Sequence, residues 1–352
     1  MSHKFPYEWT LKDAVFTKDK GTVFSCFACG GGSSMGYKLA GFDVIGVNEI
    51  DPKMMDAYIA NHNPKYSYLE PIQDFKLRDD LPEELYSLDI LDGSPPCSNF
   101  SMAGNREKDW GKEKKFREGQ AEQVLDTLFF DFIDLAEKLQ PKIVVTENVK
   151  GLLLGNAKEY VKQIYKDFDR AGYYCQHWLL DASKMGVPQR RERVFFIALR
   201  KDLAKPFLYQ KDLFTLTPKL DLEFSEDKIL YENIIEQPGE GKGLSDRYLM
   251  AWEHRRQSDN DLGDIFNRLE GKIINFNAKL IKRSKVCNTI ASSGSFISFD
   301  YPRELTDIEF IKIGAFPIDY IFRPSKPQYI IGMSVPPVMM AQIATKISEQ
   351  WL

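Results

Sequence analysis

Apolar positions follow two rhythms along the first 200 residues. Short unbroken apolar runs predict buried strands at 22–27 (TVFSCF), 43–47, 88–91, 142–146 (KIVVT), 173–180 and 194–199. Between them, Leu125, Leu128, Phe129, Phe132, Leu135, Ala136 and Leu139 recur at helical spacing, so 120–139 is an amphipathic helix stopped by Pro141. A second such helix spans 157–171 (Val161, Ile164, Tyr165, Phe168) and closes at Gly172. Asp51-Pro52 opens another: the Asp side chain accepts from first-turn N–H groups, and Pro needs no partner there. Lys38-Leu39-Ala40 ends a short helix at Gly41. Alternation of this kind predicts a doubly wound α/β sheet.

After Arg200 the rhythm breaks. Residues 201–288 are polar and irregular, with 237–243 (QPGEGKG) the clearest loop. Thr306 and Glu309 form a capping box for a helix through Ile313, and a last helix follows Pro336-Pro337. A chain that leaves an α/β domain and returns to it implies a second lobe and a cleft. The expected division is a catalytic domain at 1–200, a smaller irregular domain at 201–325, and a returning segment at 326–352.

Composition narrows the class. The 352 residues are 43% apolar and 28% charged, as in ordinary globular chains, and the net charge of −4 gives no global sign of nucleic-acid affinity. Five cysteines (Cys26, Cys29, Cys97, Cys175, Cys287) are too sparse for a disulfide framework and suit a reducing compartment. No signal-peptide core is visible and no apolar run approaches the ~20 residues of a spanning helix, so a cytoplasmic location is expected.

Five stretches carry candidate chemistry. Cys97 follows Pro95-Pro96, which stiffens the chain at a strand end and aims the thiol into whatever crevice lies there. A lone cysteine is otherwise a small buried hydrophobe. The loop Cys29–Gly36 follows the first strand, and Glu49 lies ~20 residues on, where an acid binds a ribose. The loop is neither G-x-G-x-x-G nor a P-loop, so a nucleoside without a polyphosphate, S-adenosylmethionine, fits better; a merely tight turn is the alternative. Cys26 and Cys29 are formally C-x-x-C, but with no second pair and scattered histidines the spacing is incidental. Glu147-Asn148-Val149 ends a strand, placing a carboxylic acid where it can protonate a ring nitrogen while a thiol attacks the ring; capping of the next turn is the alternative. In Gln189–Arg193, strand alternation puts Arg191 and Arg193 on one face, suited to a phosphate or carboxylate. A solvated, salt-bridged edge is the bland reading. The loop after Cys97 holds Arg106, Lys108, Lys112, Lys114, Lys115 and Arg117, a lid able to clamp a phosphate backbone or a plain solvated loop.

Together, in order, these motifs resemble the DNA cytosine-5 methyltransferase family of the prokaryotic and phage restriction-modification type. The resemblance implies a Rossmann-like S-adenosylmethionine-dependent domain plus a target-recognition domain. It places the cofactor at Phe27, Ala28, Cys29, Gly30, Gly31, Gly32, Glu49, Ile50, Asp74, Phe75, Pro96, Met333 and Ser334. It makes Cys97, Glu147, Arg191 and Arg193 catalytic, and puts Ser98, Ser101, Asn148, Val149, Arg303 and Thr306 at the substrate. Cys29 stands where the family has a glycine, Met333 where it has an asparagine, and Ser94 and Ser98 replace the usual glycine and glutamine beside Pro-Pro-Cys.

The activity implied by the resemblance is sequence-specific methylation of duplex DNA at C5 of a flipped-out cytosine, through a Cys97 adduct at C6, with no metal. His254, Arg255, Arg256, Lys279, Lys282, Arg283 and Lys285 are the expected DNA contacts. The resemblance also implies a nucleoid-associated monomer, with a cognate restriction endonuclease as a possible partner. Rivals are an RNA (tRNA) methyltransferase, a non-catalytic DNA-binding relative, and a nicotinamide dehydrogenase.

Overall fold

The computed structural model describes residues 3–96, 127–154, 157–210, 216–237, 240–271 and 278–352. The chain forms two compact units. The sheet unit holds Val15–Asp181, Glu192–Glu223 and Met340–Leu352; the second unit holds Met1–Ala14, Ala182–Arg191 and Phe224–Met339.

The sheet unit is doubly wound. Its elements run β1 (Thr22–Cys26), α1 (Gly32–Leu39), β2 (Asp43–Glu49), α2 (Pro52–His62), β3 (Tyr66–Leu69), α3 (Ile72–Phe75), β4 (Ile90–Gly93), α4 (Leu128–Leu139), β5 (Ile143–Val149), α5 (Ala157–Arg170), β6 (Tyr173–Asp181) and β7 (Glu192–Arg200). The sheet order is β3-β2-β1-β4-β5-β7-β6. Pairing is parallel from β3 to β5, and β7 runs antiparallel to both its neighbours. Val23, Phe24, Ser25 and Cys26 of β1 are wholly buried, as expected of a central strand covered on both faces. Helix α4 buries Phe129, Phe132, Ile133 and Leu135, each contributing roughly 1.5–3 kcal/mol of burial free energy. Phe132 presses so closely on Gly93 that a Cβ there would lie 2.5 Å from its ring. The Asp51 cap is present, with Lys53 N–H donating to its carboxylate at 2.9 Å.

Because β2 and β3 lie on one side of β1 while β4 and β5 lie on the other, the sheet has a switch point between β1 and β4, the place where open α/β sheets bind ligands. Cys26 and Gly93 are register partners there. A short antiparallel pair, β8 (Leu208–Gln210) and β9 (Leu216–Pro218), and the C-terminal turns of α10 (Pro337–Trp351) complete this unit, with Trp351 Nε1 donating to the Lys219 carbonyl.

The second unit is less irregular than the polar 201–288 stretch suggests. It contains α6 (Asp246–Glu253), α7 (Leu262–Glu270), the parallel pair β10 (Ala278–Ile281) and β11 (Ser295–Ser298), α8 (Asp307–Ile313) and α9 (Pro327–Met333). Leu262, Ile265 and Phe266 of α7 pack with Leu280, Ile297 and Phe299 in a small core. The capping box at Thr306 and Glu309 is formed. Among the described residues, Pro327–Trp351 has the length and hydropathy of a membrane span, contrary to the expectation that no run approaches it; 78% of its most apolar window is buried inside the protein.

Candidate active site

The loop leaving β1 is shaped by left-handed backbone. Phe27 and Cys29 have φ near +50° and Gly31 has φ +85°. Non-glycine residues in that region carry strain of roughly 1–2 kcal/mol each, so Cys29 adopts a backbone conformation that favours glycine. Its amide donates to Glu49 Oε2 at 2.8 Å, and its sulfur rests 3.6 Å from Met54. Glu49 Oε1 accepts from Ile50 and Asp51 amides at 3.0 and 2.9 Å, fastening the end of β2 to the glycine loop. Ala28 packs with Val47, Met55 and Tyr58, while the Phe27 ring leans on Phe132. Gly30 and Gly32 are buried where the loop turns into α1.

This donor set fits the expected cofactor. Residues 26–36 carry no cation, and two carboxylates bond to them: Glu49 accepts from the Cys29 amide and Asp92 from the Ser33 hydroxyl. Carboxylates beside close-approach backbone suit a positively charged sulfonium nucleoside and its hydroxyls, and disfavour a polyphosphate.

On the other side of the switch point, β4 runs into Ser94-Pro95-Pro96. Asn148 Nδ2 donates to the Pro95 carbonyl at 3.1 Å, and Asn148 Oδ1 accepts from the Val149 amide. Glu147 and Arg193 are diagonal neighbours on one face, since Val149 is opposite Arg193 and Glu147 opposite Phe195. Arg193 Nε meets Glu147 Oε1 at 2.8 Å, with both side chains largely buried. Lys150 and Glu192 pair beside them. Cys97, Ser98, Ser101 and the basic residues 106–117 lie outside the described residues; Pro96 is the last described residue before them.

Several expected site residues make bonds within the protein. Arg191 does not share a face with Arg193. It belongs to the second unit, is 2% exposed, and donates to the Ile290 and Gly332 carbonyls at 3.1 and 3.0 Å. Strand β7 begins at Glu192, so the two-residue alternation does not extend back to it. Asn148, expected at the substrate, is buried and acts on backbone. The Phe75 ring, expected at the cofactor, is fully buried and stacks on Phe24 (centroids 5.4 Å, 6° between planes).

Arg303 and Thr306, also expected at the substrate, serve the interior of the second unit. Arg303 donates twice to Glu309, at 2.8 and 2.9 Å, and Thr306 caps α8. Tyr231 and the Glu236 amide complete the shell around Glu309. Burial would raise this carboxyl; the Arg303 bonds, with those from the Glu236 and Thr306 amides and Tyr231, outweigh it and hold it below the usual range. Met333 and Ser334, expected at the cofactor, lie at the end of α9 in the second unit, where the Ser334 hydroxyl is buried without a partner.

The expected DNA-contact residues divide. Arg255 is folded inward, its guanidinium 3.3 Å from the Trp252 ring centroid and bonded to the Phe299 and Trp252 carbonyls. Lys282 is buried on the Gln257 carbonyl and Lys279 pairs with Asp261. His254, Arg256, Arg283 and Lys285 are exposed.

One buried group escaped the sequence reading. Asp92 on β4 accepts from Ser25, Ser33 and Tyr37. Burial, with a smaller push from the Glu147 carboxylate, raises its carboxyl to about 6 against the pull of these three bonds. An Asp inside an apolar run, with two serines and a tyrosine spread over 25–37, was the available clue.

A switch-point site with a glycine loop on one strand, a proline-stiffened turn on the next and an acid–arginine pair on the third defines the class: a Rossmann-like methyltransferase fold. The profile of the C-5 cytosine-specific DNA methylase family matches residues 21–349. The chain is 36% identical over 181 residues to the type II methyltransferase M.FnuDI of Fusobacterium nucleatum, a match spanning 51% of this chain and 47% of that protein. It is 30% identical to the type II methyltransferase M.DdeI of Desulfomicrobium norvegicum, across 93% of this chain and 88% of that one. A solved prophage protein from E. coli, described as a DNA modification methyltransferase, shares the fold at TM-score 0.64 and 21% identity, with 94% and 99% of the two chains covered. The chain belongs to the C-5 cytosine-specific DNA methylase family and is a DNA cytosine-5 methyltransferase.

Proposed function

We propose that the switch-point residues methylate one cytosine of a short duplex motif after it leaves the stack, because its ring carbons are inaccessible within the helix. Cys97, as thiolate, forms a bond to C6. Glu147 delivers a proton to N3, so the electron pair collects at C5 and not on the ring nitrogen. Arg193 fixes the Glu147 carboxyl and hence the direction of that proton. S-adenosylmethionine, held by Phe27–Gly32, Glu49, Ile50 and Asp74, supplies the methyl group when bound. A base, water in the open site, then takes the C5 proton; the electron pair left behind breaks the Cys97–C6 bond, releasing the thiolate, and N3 returns its proton to Glu147, which restores the aromatic ring. The observation that carries this reading is the Glu147–Arg193 pair at the C-terminal end of β5, next to the strand that leads into Pro95-Pro96.

Exposed Arg256, Arg283 and Lys285 of the second unit are the residues assigned to DNA. The type II names of the relatives support a cognate endonuclease that cuts the same motif. The enzyme acts as a cytoplasmic monomer in this reading.

The deciding experiment incubates wild type and Cys97→Ser with labelled S-adenosylmethionine and, in separate reactions, mixed-sequence duplex DNA or tRNA, then maps 5-methylcytosine by bisulfite sequencing. Methylation at one short motif, lost in the variant, is the expected result. Transfer that survives in Cys97→Ser rejects the nucleophile, and transfer to tRNA in place of DNA rejects the substrate.

A further inference from the structure

The sheet unit buries a carboxylate that this reaction does not use. Asp92 is 2% exposed, and no cation pairs with it among the described residues. Its Oδ2 accepts from both Ser25 Oγ and Ser33 Oγ at 2.8 Å, and its Oδ1 accepts from Tyr37 OH at 3.3 Å. The donors have a specific arrangement in the chain. Ser25 stands on β1 two residues before the left-handed Phe27; Ser33 stands in α1 two residues after the left-handed Gly31. Tyr37 is one helical turn beyond Ser33, on the same face.

A single carboxylate on β4 therefore grips both stems of the strained loop between them. An ionised carboxyl buried among hydroxyls is poorly compensated compared with an apolar side chain of the same volume. Plain core packing does not ask for it. The same strand end continues into the Pro95 segment that Asn148 holds. We propose that Asp92 is a positioning residue: it sets the spacing of the two stems of the 27–31 loop, and so the fit and placement of the bound methyl donor. The proposal rests on that loop being the cofactor site.

The test uses the full chain as wild type, Asp92→Ala, Asp92→Asn, Ser33→Ala and Tyr37→Phe. Binding of S-adenosylhomocysteine is measured by calorimetry without DNA, hydrogen exchange is followed at the α1 amides, and KM for S-adenosylmethionine and kcat are determined separately. Asp92→Ala is expected to weaken S-adenosylhomocysteine binding and raise KM about ten-fold or more, with Ser33→Ala moving both by about three-fold. Amides of α1 exchange faster in both variants, and DNA affinity is unchanged. If Asp92→Ala or Asp92→Asn fails to fold, Ser33→Ala and Tyr37→Phe decide the matter by the same readouts. Folded variants with wild-type binding and KM would overturn the role of Asp92 and leave the cofactor site standing. A wild-type protein that does not bind S-adenosylhomocysteine would overturn both.

Discussion

The two units each bury a carboxylate, and they hold it in opposite ways. Glu309, in the second unit, is wholly buried against Arg303, and the guanidinium drives its titration below the usual range despite the burial. Asp92, in the sheet unit, has three hydroxyl donors and no cation among the described residues, and burial drives it up to about 6. A full counter-charge makes a buried acid a fastening; neutral donors alone leave it poised and costly. The first suits a unit whose small core needs a rigid brace, the second a loop whose geometry serves a ligand.

The largest effect comes from breaking the charged pair. Arg303→Ala leaves Glu309 buried without its counter-charge and is expected to cost about 3–5 kcal/mol, measured by urea unfolding. A loss under about 1 kcal/mol would mean that Tyr231 and the backbone amides suffice, and the contrast between the two acids would dissolve.

Linkage sharpens the contrast next. Asp92 is raised from 3.8 to about 6, so the native state keeps a proton that the unfolded chain has released, and this group lowers stability as pH rises through that window. The full penalty, roughly 3 kcal/mol, applies above pH ~6. The groups around it are Cys26 on β1, Tyr37 on α1, Tyr58 on α2 and Glu147 on β5; the Cys26, Tyr37 and Tyr58 values are all raised by burial, so these stay neutral there. Asp92→Asn should remove that slope in urea titrations between about pH 4 and 7. Glu309 has the opposite sign: its contribution is present above the unfolded carboxyl value and fades as pH falls through the depressed native one. Parallel pH profiles for Asp92→Asn and wild type would refute the assignment for Asp92.

The smallest effect concerns the shell around Glu309. Thr306→Ala removes the cap of α8 and one leg of the capping box, for an expected loss of about 1 kcal/mol. Thermal unfolding of this variant beside Arg303→Ala separates the worth of the cap from that of the ion pair.

Much of the sheet unit is legible in the chain because its signals are local. Six apolar runs become strands, Asp51-Pro52 opens α2, and the Thr306–Glu309 box opens α8 in the second unit. Glu147 and Arg193 are readable as residue types at a strand end, and the structure brings them to 2.8 Å. Arg191 departs from expectation because the two-residue alternation stops one position short of it, at the start of β7. Phe75 fits the motif, but a ring that stacks on Phe24 belongs to the core. Helix α7 escapes the sequence reading although Leu262, Ile265, Phe266 and Leu269 follow helical spacing, with Asp261 and Gly271 capping it; charged residues on its other face mask the stripe.

The sequence by itself determined the alternation of strands and helices, the glycine loop, and the residue types able to perform the chemistry, since all of these are carried by neighbours along the chain. Strand order, the reversal of β7, the inward turn of Arg191 and the convergence of Ser25, Ser33 and Tyr37 on Asp92 were decided by the tertiary structure. Each depends on groups far apart in sequence, and which of them meet depends on burial summed over the whole core, a quantity that no local window of sequence contains.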